Sequence, residues 1–313
     1  MARAFVFPGQ GSQAVGMGKE LAAALRTARD VLAEVDEALK QNLSKLMAEG
    51  PEAELTLTEN AQPALMAVSV AVARVIERDG AKPLASVAKF VAGHSLGEYS
   101  ALCAAGAIPL GDAARLLKAR GRAMQEAVPV GVGAMAALLG ASPELAREVA
   151  EAAREGEVCD VANDNAEGQV VVSGHKSAVE RAIKLAAEKG IRKSILLPVS
   201  APFHCALMKP AALRMQAELD RIEIRPPAVP VVANVTAQGV DNPATVKRLL
   251  IEQIPGLVRW RESVLWMKGQ GVDALVELGA GKVLAQMTKR IAKDMSAVSV
   301  GTPAEIEALL KTL

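Results

Sequence analysis

The sequence predicts an α/β protein with a smaller unit of β-α-β-β-α-β order set inside it, and three observations carry that expectation. The chain opens on a strand at residues 4–7, a glycine loop Gly9-Gln10-Gly11-Ser12 and helical sequence over about 18–39. A second apolar strand, 87–92, passes through the tight turn Gly93-His94-Ser95-Leu96-Gly97 into helix-forming sequence. From Val130 the texture changes to short strands alternating with amphipathic stretches. With 313 residues, 51% of them hydrophobic, the chain has ample material for a core. Four Phe, two Trp and one Tyr leave that core to Ala, Val, Leu and Met, which suits helices packed on parallel strands.

Each element follows from local pattern. Pro8 ends the first strand, and Leu65, Val68, Val72, Val75 and Ile76 recur at helical spacing within 63–78. After the Ser95 turn, helices are expected at 98–105 and 111–127. Strand 133–139, helix 143–154, strands 157–163 and 169–173, helix 176–189 and strand 191–198 then give the ferredoxin-like pattern in about 70 residues. Beyond Pro202 the α/β texture resumes with helix 206–221, strand 229–234, helices 242–254 and 262–269, strand 274–278, the loop Gly279-Ala280-Gly281 and a final helix. The expected organisation is a large unit of residues 1–128 and 199–313, with residues 129–198 inserted as the small one.

Charge and cysteine usage exclude several function classes. Thirty-six Lys plus Arg against 35 Asp plus Glu leave no whole-molecule field for nucleic acid or a membrane surface. No apolar run approaches the ~20 residues a bilayer needs, and the N-terminus lacks a secretory pattern. Cys103, Cys159 and Cys205 form no C-x-x-C pair, which argues for a reducing compartment, the cytosol by default.

The Ser95 turn has the form of a nucleophile elbow, because a tight turn between two glycines lifts the hydroxyl clear and aims a helix N-terminus at a developing oxyanion. Gly9-x-Gly11-x-x-Ala14 loosely fits a dinucleotide fingerprint, but Asp30, Glu34 and Asp36 lie in helical sequence where a ribose-binding acid at a strand end is needed. Backbone donors beside an active site are the better reading of that loop. Three histidines exist to serve as base. His94 adjoins the nucleophile on a sharp turn and suits a wall of an acyl pocket. His175 reads as a surface helix cap. His204, where the chain re-enters the large unit, is the favoured base, with a structural role equally open from position alone. No acid stands out to orient it, which leaves a Ser–His dyad steered by a backbone carbonyl. Arg120 could grip a substrate carboxylate, although its basic surroundings (Arg115, Lys118, Arg122) favour a solvated face when read alone.

Six ordered segments then match one family: Phe5 to Gln13, Gly93 to Glu98, Arg120 with Met124-Gln125, Asn163-Asp164-Asn165 with Gly168 to Gly174, Val199 to His204, and Glu277 to Leu284. Over about residues 4–290 the chain resembles the malonyl-CoA:acyl carrier protein transacylases. The resemblance implies an α/β-hydrolase-like domain with a parallel sheet and a ferredoxin-like insert. It implies Ser95 as nucleophile and His204 as base, with oxyanion donors from the backbone of Gln10 and Leu96. Arg120 would bind the malonyl carboxylate, with His94, Met124 and Phe203 in the substrate pocket. Gln253 would orient His204 through its carbonyl, which accounts for the missing acid.

Two departures stand out. Pro255-Gly256-Leu257 follows Gln253 where the family often places proline differently, which puts the Gln253 alignment in question by a residue. Gly279-Ala280-Gly281 replaces the family's Gly-Pro-Gly. Phe203 before His204 is similar to the pattern of acyltransferases that select malonyl over methylmalonyl.

The implied reaction is ping-pong transfer of malonyl from malonyl-CoA to the phosphopantetheine thiol of acyl carrier protein, with no cofactor and no metal, by a cytoplasmic monomer. Lys189, Arg192 and Lys193, or Lys282, Lys289 and Arg290, are the candidate basic patches for the acidic carrier. A malonyl-transfer subunit of a malonate decarboxylase or polyketide system would share every motif. A serine esterase or thioesterase is the alternative of another class, and would need an acidic third member and no Arg120.

Overall fold

The computed structural model describes residues 1–313. In chain order the elements are β1 (Arg3–Phe7), α1 (Lys19–Ala24), α2 (Arg26–Leu39), α3 (Leu43–Glu49), α4 (Glu52–Thr56), α5 (Thr58–Arg74) with a π turn (Val75–Asp79), α6 (Leu84–Val87), β2 (Phe90–Gly93), α7 (Gly97–Ala104) and α8 (Leu110–Glu126). They continue with β3 (Gly133–Leu139), α9 (Pro143–Ala153), β4 (Cys159–Ala166), β5 (Gln169–His175), α10 (Lys176–Glu188) and β6 (Lys193–Leu196). The remainder is a 3₁₀ turn (Ala206–Met208), α11 (Lys209–Leu219), β7 (Val231–Ala233), β8 (Gln238–Val240), α12 (Pro243–Gln253), α13 (Trp260–Gly269), β9 (Ala274–Leu278), α14 (Val283–Ile291), β10 (Ser296–Val300) and α15 (Pro303–Leu310).

Two sheets result, as the fold class requires. The larger has the order β10-β9-β1-β2-β7-β8 and is parallel except for the terminal β7–β8 pairing. Its strands β2 and β9, each flanked by parallel neighbours, are buried at every position, the condition of a parallel sheet covered by helices on both faces. The smaller sheet is antiparallel with the order β4-β5-β3-β6, the ferredoxin-like arrangement, and α9 and α10 bury Leu138, Val149, Val172 and Val179 against it as a core of its own.

The two sheets are stitched together. Asp164 N–H donates to the Val258 carbonyl (3.0 Å) and Val258 N–H to the Ala162 carbonyl (2.9 Å), so β4 forms a short parallel bridge to the segment before α13. The buried Asp164 carboxylate accepts from both Nε and Nη2 of Arg261 beside that bridge.

Several boundaries differ from the sequence expectation. The helix expected over 18–39 is two, because Leu25 adopts extended backbone between α1 and α2. Helices α3 and α4 are too short to show a period, and β8 has three residues. The single final helix is α14, β10 and α15; β10 adds to β9 as an edge strand, and its two serines mask its alternation. A capping box of Thr302 and Glu305 with Pro303 at the first turn starts α15, a signal present in the sequence. Strand β4 runs three residues beyond its expected end at 163, to Ala166, through two register shifts that break strict alternation. His175 does not cap α10 through its side chain; its Nδ1 accepts the Val158 N–H (2.9 Å) and ties the small sheet together.

Candidate active site

Adjacent parallel strands β9, β1, β2 and β7 end along one edge of the large sheet, so the loops after them meet in space although far apart in sequence. Those loops carry Gly279, Gln10, Ser95 and Asn234. A cleft of about 530 Å³ opens there, lined by Gln10, His94, Ser95, Leu96, Arg120 and His204 among others. A larger hollow of about 670 Å³ lies elsewhere, between α11 and α12, and holds none of these groups.

Ser95 sits between β2 and α7 in left-handed backbone, φ 53°. The flanking glycines are needed for close approach. A Cβ on Gly93 would lie 1.8 Å from the Gly97 carbonyl carbon, and one on Gly97 would lie 2.2 Å from the Phe7 oxygen. The turn is thereby pressed against the end of β1, beside the Gln10 loop. The backbone N–H groups of Gln10 and Leu96, outside any helix or strand, meet no acceptor within the protein.

His204 also has left-handed backbone, φ 57°, and is buried. Its Nε2 is 2.7 Å from Ser95 Oγ, and its Nδ1 lies 3.0 Å from the Gln253 carbonyl and 3.2 Å from that of Gly256. Two carbonyls can only accept, so they fix the proton on Nδ1 and leave the Nε2 lone pair facing the serine hydroxyl. Burial, aided by the Arg120 charge, pushes the imidazole pKa down to about 3, against the pull of the carbonyls. The ring is neutral at ordinary pH.

Arg120 is only 1% exposed and has no carboxylate partner. Nη1 donates to Gln62 Oε1 (2.8 Å), and Nη2 to Ser95 Oγ (3.0 Å) and Gln253 Oε1 (2.9 Å). Nε has no acceptor, and the guanidinium lies 5.7 Å from the Tyr99 ring centroid. Gly121 brings Gln62 within reach: a Cβ there would lie 2.5 Å from the Glu59 Cα, so α8 crosses α5 in close contact.

His94 Nε2 donates to Asn165 Oδ1 (2.8 Å), and its ring tilts against Trp260. It lines the cleft wall, and burial lowers its pKa. Phe203 and Met124 line the same cleft with Met135, Val171, Leu197 and Val199. Glu98, at the start of α7, is fully enclosed; burial raises its pKa to about 7. It accepts from the Asn234 N–H and from Gln253 Nε2, both at 2.9 Å.

All nine residues singled out in the sequence (Gln10, His94, Ser95, Leu96, Arg120, Met124, Phe203, His204 and Gln253) therefore meet at one place, the first eight in the cleft and Gln253 behind it. Gln62, Asn234 and the side chain of Gln253 were not anticipated. Gln62 gave one signal, a glutamine on a helix otherwise rich in Ala and Val. Of the basic patches, Lys189 pairs with Glu148 and Arg290 donates to Gln169, whereas Lys282, just before α14, and Lys289, on it, are exposed, and α14 lines the cleft through Val283, Leu284 and Met287. No helix is long and apolar enough to cross a membrane.

An activated serine beside an enclosed, unpaired guanidinium suits acyl chemistry on an acid-bearing substrate. Comparisons with known proteins agree. The family model described as "Acyl transferase domain" matches residues 4–306. The Escherichia coli (strain K12) protein named malonyl CoA-acyl carrier protein transacylase is 46% identical over 308 residues, covering 98% of each chain. Its namesake from Bacillus subtilis (strain 168) is 45% identical over 311 residues, covering 99% of this chain and 96% of that one. The acyl-carrier-protein-S-malonyltransferase structure from Bartonella henselae superposes with a TM-score of 0.97 at 52% identity, over 100% of this chain and 99% of that one. A malonyl-transacylase solved in complex with a type II polyketide acyl carrier protein gives 0.96 at 41% identity, over 100% of both. With its fold and nearly its whole length matched, the chain belongs to the acyl transferase family, in the malonyl-CoA:acyl carrier protein transacylase branch.

Proposed function

We propose that the protein moves a malonyl group from malonyl-CoA to the phosphopantetheine thiol of acyl carrier protein through a malonyl ester on Ser95. The observation that carries this reading is Arg120, a buried cation whose protein acceptors are all neutral. Leaving a guanidinium so enclosed costs several kcal/mol unless an anion completes it, and a carboxylate bound beside Ser95 would do so. Acetyl groups offer no such anion.

His204 Nε2 takes the Ser95 proton as Oγ attacks the thioester carbonyl, and the resulting oxyanion accepts from the Gln10 and Leu96 N–H groups. Collapse of this intermediate expels the coenzyme A thiolate, which takes the proton from His204. The carrier thiol then gives its proton to His204, attacks the ester carbonyl, and Ser95 leaves with that proton restored. The Gln253 and Gly256 carbonyls hold the imidazole and stabilise its charged form in passing. His94 and Met124 wall the acyl pocket, and the Phe203 ring crowds an α-methyl branch. The reading calls for no cofactor or metal and for a monomer working in the cytosol on two thioesters. Residues 129–198 are proposed as a separate small domain on the large one. The carrier would approach over Lys282 and Lys289, beside the cleft.

Intact mass spectrometry after mixing with malonyl-CoA, with and without carrier, tests the proposal. A malonyl adduct on Ser95 that discharges to the carrier is expected. No adduct, or one lost equally fast to water, would return the chain to the esterase reading.

A further inference from the structure

Beneath the nucleophile turn lies a carboxylate that takes no part in the steps above. Glu98 is 1% exposed, and no lysine, arginine or histidine forms an ion pair with it. Burying a carboxylate without a cation is costly. Its two hydrogen bonds show what it holds: both fall on Oε2, one from the Asn234 backbone N–H and one from Gln253 Nε2.

Each of those partners reaches Ser95. Asn234 Oδ1 accepts the Ser95 N–H (2.8 Å), while its Nδ2 donates to the Gly93 carbonyl (2.7 Å) on the other side of the turn. Gln253 Nε2 donates also to the Ser95 carbonyl (3.0 Å). The backbone of a residue with φ 53° is therefore gripped at its N–H and at its C=O by the side-chain amides of Asn234 and Gln253, and Glu98 Oε2 accepts from the backbone of the first and the side chain of the second. The same Gln253 presents Oε1 to Arg120 and its backbone carbonyl to His204 Nδ1. An amide has one acceptor and one donor end, and Glu98 can accept only from the donor end. It thus fixes which way the Gln253 amide faces and leaves Oε1 for the guanidinium.

We infer that Glu98 is a positioning residue of the acyl transfer, holding Ser95 in its strained turn through Asn234 and Gln253. It acts by reach and hydrogen bonding and not by charge. A glutamine would place an acceptor oxygen at the same point, whereas aspartate keeps the charge but withdraws it by ~1.5 Å. The inference rests on the acyl-transfer reading.

The test compares wild type, Glu98→Gln and Glu98→Asp. Single-turnover formation of the malonyl adduct is measured together with labelling of Ser95 by a small fluorophosphonate, which carries no carboxylate and so does not depend on Arg120. Glu98→Gln is expected to stay within about fivefold of wild type. Glu98→Asp is expected to lose about 10² in both rates, the scale of a misplacement of about an ångström, with the malonyl-CoA dissociation constant moved less than about threefold. Equal rates for wild type and Glu98→Asp overturn the inference, as do losses in both variants that merely follow melting temperature. Should wild type form no malonyl adduct, the acyl-transfer reading fails, and the fluorophosphonate rates still decide whether Glu98 positions Ser95.

Discussion

Arg120 Nη2 donates to Ser95 Oγ at 3.0 Å, so the guanidinium and the serine hydroxyl are in direct contact. A carboxylate joined to an acyl group on Ser95 would find both guanidinium ends close by. Replacing Arg120 with alanine should lower kcat/KM for malonyl transfer by ~10³ and leave acetyl transfer unchanged or improved. Arg120→Lys should recover little, since one ammonium cannot span Gln62, Gln253 and a carboxylate. Steady-state kinetics with both thioesters checks it.

The depressed pKa of His204 makes a prediction about pH. In the proposed mechanism His204 must be neutral to accept the serine proton, and with a pKa of about 3 it is neutral throughout the range where the fold is ordinarily studied. The rate of Ser95 acylation, followed in single turnovers, should show no inflection near 6.5, the ordinary histidine value. His204→Ala should reduce the plateau by ~10²–10⁴.

Folding stability should carry two opposing contributions from the same site. Unfolded His204 binds a proton below 6.5 and the folded one only near 3, so its share of stability is present above 6.5 and is lost as pH falls. Glu98 has the reverse sign. Its folded pKa of about 7 lies above the ordinary 4.5, so its share is present below 4.5 and is lost as pH rises through 7. Between 4.5 and 6.5 the two oppose each other. Glu98→Gln removes one of them, and the difference in unfolding free energy between variant and wild type should grow in the variant's favour by ~3 kcal/mol from pH 4.5 to 7.5. Urea titrations across that range measure it.

Phe203 lines the cleft one residue before His204 and is mostly buried. Phe203→Ala should relax discrimination against methylmalonyl-CoA by ~10–10², the worth of one methyl group in a packed pocket. Competition between the two thioesters, read by mass of the acyl-enzyme, gives the ratio directly.

The sequence disclosed which residues gather at this site better than it disclosed the elements that bring them there. The Gly93 and Gly97 positions betrayed the Ser95 turn because only glycine tolerates the contacts found there. His204 stood out among three histidines by its place where the chain re-enters the large unit. Arg120 could have been separated from its basic neighbours by helical period alone: it continues the buried stripe of Ala113, Leu116, Leu117 and Met124, while Arg115 and Arg122 fall outside it. No such signal existed for Asn234 or the Gln253 amide, whose partners lie up to 158 residues away in sequence and meet only through the strand order. The short helices α3 and α4 were hidden for a related reason, since one or two turns hold too few residues for a period to appear.

The chain reaches Ser95 109 residues before His204, and the whole small sheet is laid down between them. Gln253 comes later still. A growing polypeptide therefore carries its serine for a third of its length before the imidazole that meets its hydroxyl is made, and for longer still without the amides that brace its turn. On the proposed mechanism, reactivity toward thioesters belongs to the finished molecule and to no fragment that ends before His204.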